Sequence, residues 1–135
     1  MSRWQREWTE LLTALCADDA ASVGLVGEPD GDFAPVGPTR FGWLRGFRWA
    51  PAGSGYGLAL LDLASPGTVP AAAWEPICGP LDDAPPALEG QLLYGEFSAP
   101  GSGRELTVTL VAEHGVPAAE ARVHTVRVSI DPAAG

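Results

Sequence analysis

Lysine is missing from this chain of 135 residues, so all eight of its basic side chains are arginines. Against seventeen Asp and Glu residues they leave a formal charge of −9. Absent lysine beside abundant Ala, Gly, Pro and Arg reads as codon composition, not as chemistry. The acidity runs from Glu7 to Asp131; it opposes docking on a phosphate backbone and favours a basic partner. Long apolar runs are also absent. The best, Leu58 to Leu61, ends at Asp62, far short of the roughly 20 residues of a membrane span. Arg3, Gln5, Arg6, Glu7 and Glu10 break up any secretion leader at the N-terminus, so a cytoplasmic protein with no membrane contact is expected. Cysteine is scarce: Cys16 and Cys78 fall into no CxxC or Cys/His pattern, and two free thiols are expected.

What remains is a folded globule. Hydrophobic residues make up 46% of the chain and charged residues only 19%, enough to bury a core without staples. No repeat and no long linker divides it, so residues 1–135 are expected to form a single globular domain.

The N-terminal segment predicts an amphipathic helix. Ser2 and Gln5 have capping-box spacing, and Trp4, Trp8, Leu11, Leu12 and Leu15 form one apolar stripe. Arg3–Glu7 and Arg6–Glu10 can pair one turn apart. The arginines at its start and Asp18 and Asp19 near its end oppose the helix dipole, so this helix should depend on packing its tryptophans.

After Ala21 short apolar runs alternate with turn residues. "SVGLVG" (Ser22 to Gly27), "FGWLRGFRW", "YGLALLDL", "QLLYGEFS", "ELTVTLVAE" and "RVHTVRVSI" are the expected strands, the fourth and fifth joined by the hairpin linker "APGSG". Between Ser65 and Gly90 a proline-rich connection should carry a helical turn over Pro70 to Glu75, stopped at Pro76, with Trp74 as its anchor. The expected fold is α+β, an N-terminal amphipathic helix packed on an antiparallel sheet of five or six strands.

The stretch "RFGWLRGFRW" poses the functional question. At period two Phe41, Trp43, Arg45, Phe47 and Trp49 share one face, and Arg40, Leu44 and Arg48 the other. A core strand is expected, leaving Arg40 and Arg48 as a surface pair for a carboxylate or phosphate. The alternative is a small-ligand or single-stranded nucleic-acid binder, with exposed rings stacking on bases and Arg45 lying over a ring. "GSGYG" (Gly53 to Gly57) lacks the strand before and helix after that a phosphate loop needs. His114 lies in a turn, and His124, sharing parity with Val126 and Val128, should be a half-buried, hydrogen-bonded imidazole. Neither has a convergent ligand set, so no catalytic residue, metal or cofactor is assigned.

The acids Glu28, Asp30, Asp32, Asp82 and Asp83 are the candidate partner-binding residues, with Arg40 and Arg48. The expected function is that of a non-catalytic cytoplasmic binding or accessory protein whose acidic surface engages a basic protein partner. Its most concrete form is an immunity- or antitoxin-like inhibitor, by analogy with small acidic proteins that lack catalytic groups.

Overall fold

The computed structural model describes residues 2–17, 34–35, 41–50, 56–63, 70–88, 90–99 and 104–131. The run Ser22 to Gly27, the acids Asp18, Asp19, Glu28, Asp30 and Asp32, Arg40 and most of "GSGYG" lie outside them.

Helix α1 spans Arg3–Cys16, and its start is the capping box read from the sequence. The Gln5 amide donates to Ser2 Oγ at 3.2 Å while the Ser2 amide donates to Gln5 Oε1 at 3.0 Å, satisfying donors that the helix itself leaves unpaired. Gln5 Nε2 also donates to the Ala73 carbonyl at 3.0 Å, so the cap doubles as a tie to a distant turn. Arg3 pairs with Glu7 at 3.6 Å. At the other end the Arg104 guanidinium donates to the Cys16 carbonyl at 3.4 Å. A cation from far along the chain thus supplies the dipole complement that the helix's own residues withhold.

The strands are β1 (Ala34–Pro35), β2 (Leu44–Ala50), β3 (Gly57–Leu63), β4 (Asp82–Ala87), β5 (Gly90–Ser98), β6 (Glu105–Ala112) and β7 (Val123–Ile130). They form one open antiparallel sheet in the order β1-β2-β3-β7-β6-β5-β4. Six are full strands, and β1 is a two-residue pairing on β2. The fold is α+β, as the sequence pattern implies.

Alternation gives the sheet one dry face. Leu61, Val126, Leu110 and Leu93 lie in register across four strands, and Ala59, Val128 and Val108 form the next row; all are buried. On this face α1 lays Trp8, Leu11, Leu12 and Leu15, alongside a 3-10 turn (Ala71–Trp74) and a one-turn helix, α2 (Glu75–Cys78). Trp8 and Trp74 are fully buried. At the roughly 150–250 Å² that an aromatic ring contributes, these two tryptophans hold the helical layer to the sheet.

Two expectations about the proline-rich connection need correction. Pro76 does not stop the helix: it occupies the first turn of α2, which continues to Cys78, and no intrahelical donor is needed there. The "DDAPPA" segment, read as connection, is the strand β4. Proline is tolerated because β4 is an edge strand with irregular register between Ala84 and Ala87.

Candidate functional site

Phe41, Trp43 and Phe47 are buried, with Phe41 and Trp43 leading into β2 and Phe47 within it. Trp8 stacks on Trp43, ring centroids 4.3 Å apart. These three rings belong to the core, so they present no platform to a base. Arg45 does not share their face. The register shifts between Leu44 and Gly46, and such a bulge re-aims its extra residue. Arg45 therefore turns outward, where its Nε donates to Asp62 Oδ2 at 2.8 Å. This pairing stands in place of the ring contact that the alternative reading gave Arg45.

The sheet's outward face carries one continuous cross-strand row: Arg48, Leu60, Arg127, Thr109, Tyr94 and Asp82. It places Arg48 and Asp82 on the same face but roughly 24 Å apart at the usual strand spacing. They are not one site. Within this row the basic side chains stand on β2 and β7 and the carboxylate on β4.

Asp82 and Asp83 are adjacent in sequence and exposed, yet a strand sends neighbours to opposite faces. Asp82 lies opposite Tyr94 and Asp83 opposite Leu93, so each serves a different hollow. Asp82 lines a cavity of about 340 Å³ with Cys78, Pro80, Tyr94, Gly95, Glu96 and Thr107. Asp83 lines a smaller one of about 160 Å³ whose floor includes Ala71, Leu81, Leu93 and Ala118, with Glu75 as its second carboxylate. The edge strand is thus flanked on both sides by an acid-rimmed hollow, and Tyr94, 38% exposed, stands beside the larger.

Tyr94, Glu96 and Glu75 were missed as functional residues. Alternation in "QLLYGEFS" already sets Tyr94 and Glu96 apart from Leu93, Gly95 and Phe97. The pairing of Tyr94 with Asp82 was illegible because β4 itself was not read as a strand.

The remaining reactive groups stay apart. His124 sits where the β6–β7 register shifts, half-buried, with Nδ1 3.0 Å from Thr125 Oγ1; His114 is exposed in the turn before Val116. Cys16 and Cys78 are buried and not joined in a disulfide, and burial pushes the Cys78 thiol up to about 12. It is held protonated, unlike a nucleophilic thiolate. Among the described residues no three His, Cys, Asp or Glu side chains converge as metal ligands, and no helix is long and apolar enough to cross a membrane. No family model, no curated protein and no solved structure matches the chain.

Proposed function

We propose that this chain is a non-catalytic cytoplasmic binding protein that receives a basic protein partner at the β4 edge of its sheet. The observation that carries this reading is the pair of hollows astride β4, one rimmed by Asp82 and Glu96, the other by Asp83 and Glu75. Four carboxylates around one edge offer charge-assisted hydrogen bonds to arginine or lysine. The exposed Tyr94 supplies the aromatic anchor typical of interface centres. A net charge of −9 adds long-range attraction for a cationic partner. An immunity- or antitoxin-like inhibitor, covering a basic enzyme surface, is the form of this function with which the small size and acidity agree best.

The test is co-purification from the native host with its neighbouring genes expressed, comparing the wild-type chain with Asp82→Asn/Asp83→Asn/Glu75→Gln/Glu96→Gln. The expected outcome is a partner retained by the wild type and lost by the neutralised variant, at unchanged thermal stability. A partner held equally by both, or none held by either, refutes the assignment.

A further inference from the structure

We infer that the partner is received by strand addition: an extended basic segment pairs with the edge of β5 at Gly95–Ser98 that is left open among the described residues. This rests on the basic-partner reading and specifies how that partner docks.

β4 reaches β5 only as far as Asp82, opposite Tyr94. Beyond that point Gly95, Glu96, Phe97 and Ser98 pair with Val108, Thr107, Leu106 and Glu105 of β6. No described residue pairs with their other side. The chain leaves the sheet through Pro80 and Leu81, and the larger cavity lies along this part of β5, lined by Cys78, Pro80, Gly95 and Glu96. A strand's unpaired amides and carbonyls are a template for another chain. The hollow lies where β4 would continue.

Two features make this stretch receptive. β4 is guarded by Pro85, Pro86 and its irregular register, devices that blunt an edge. Gly95–Ser98 carries no proline and no register shift in its pairing with β6. Gly95 also lets the helical layer close down: a Cβ there would stand 2.5 Å from Cys78 Cβ and 3.1 Å from Leu81 Cδ2. The slot therefore has a wall on its inner side and opens outward toward Glu96 and Asp82.

Charge selects the occupant. On the outward face an added strand meets Glu96 and Asp82, with Glu105 on the neighbouring strand, all exposed. Arginine or lysine at alternate positions answers these carboxylates, while small apolar residues between them face Cys78 and Pro80. A second copy of this chain would bring Glu96 against Glu96 and Asp82, and like charges across strands oppose that pairing.

The experiment is an amide NMR titration of the isotope-labelled protein with a short peptide of alternating arginine and valine. Parallel arms use the same peptide with every backbone nitrogen methylated, and a glutamate–valine peptide. Strand addition gives slowed amide exchange and shifts centred on Glu96–Ser98. It also gives roughly tenfold or weaker binding of the methylated peptide, since two or so net hydrogen bonds are lost, and no binding of the glutamate peptide. Glu96→Arg should reverse the preference between the two charged peptides. If the methylated peptide binds equally well, the basic-partner reading stands and strand addition falls. Absence of any response to the arginine peptide overturns both. Shifts at Gly95–Ser98 that follow protein concentration without peptide identify a second copy as occupant and overturn the proposal.

Discussion

The indole rings of Trp8 and Trp43 lie stacked, centroids 4.3 Å apart and planes inclined by 22°, joining α1 to the entry of β2. Trp74 lies 4.5 Å from Trp8 and Trp4 lies 5.0 Å from Trp74, so four tryptophans form one cluster. All four indole Nε1 atoms are buried without an acceptor among the described residues. Each unpaired donor costs roughly 1–3 kcal/mol, which the apolar area of the rings must offset. Trp8→Ala should therefore lower stability to urea by about 3–5 kcal/mol and weaken the tryptophan exciton signal in circular dichroism, leaving only the Trp4–Trp74 pair. Trp74→Phe should cost less than half as much, because it discards an orphaned donor along with the lost area. Equal losses for the two would contradict this account.

Gly95 is a contact position. Gly95→Ala places its methyl 2.5 Å from Cys78 Cβ, and overpacking of that kind costs roughly 1–3 kcal/mol. Gly42→Ala meets nothing within 4 Å and should change stability by no more than about 0.5 kcal/mol. Denaturant midpoints of the two variants, measured side by side, check the contrast.

The Arg45–Asp62 pair is a surface pair, with the arginine side chain 68% exposed. A double-mutant cycle with Arg45→Ala and Asp62→Ala should give a coupling of about 0.2–1 kcal/mol that shrinks at high salt. A larger, salt-independent coupling would mean that the pair is shielded from solvent.

Cys78 predicts a loss of stability in alkali. Its thiol is raised from 9.0 to about 12 by burial, so the folded state holds the proton more tightly than the unfolded state does. The resulting stability is fully present below pH 9 and is lost as pH rises toward about 12. Urea midpoints over that interval should fall less steeply in Cys78→Ala than in the wild type. An alkylating reagent at mildly alkaline pH should modify Cys78 only after unfolding.

The parts of the fold legible in the sequence are those where one period runs uninterrupted. α1 announces itself through Ser2, Gln5 and its leucine stripe, and β6 through Leu106, Val108 and Leu110. Errors cluster where a strand changes step. Arg45 sits at a register shift, where counting by twos assigns a side chain to the wrong face. β4 was hidden by Pro85 and Pro86, which look like loop residues unless the strand is known to lie at an edge. With β4 unread, Asp82 and Asp83 looked like one acidic cluster, although the backbone parts them. The candidate site was accordingly half visible: Asp82 and Asp83 were named, but their separation and their neighbours Tyr94, Glu96 and Glu75 depend on pairing between distant segments.

The sheet order also governs the sequence of events during synthesis. β7 lies between β3 and β6, bonded to both, although β3 precedes it by about sixty residues. A nascent chain that has made β2 and β3 therefore holds a hairpin with an open flank until β7 leaves the ribosome. Contacts of such long range slow folding, and the waiting hairpin is the segment most exposed to mispairing. Chains interrupted before Val123 should collect in chaperone-bound or aggregated form, while β5 and β6, adjacent in sequence, can already have zipped together.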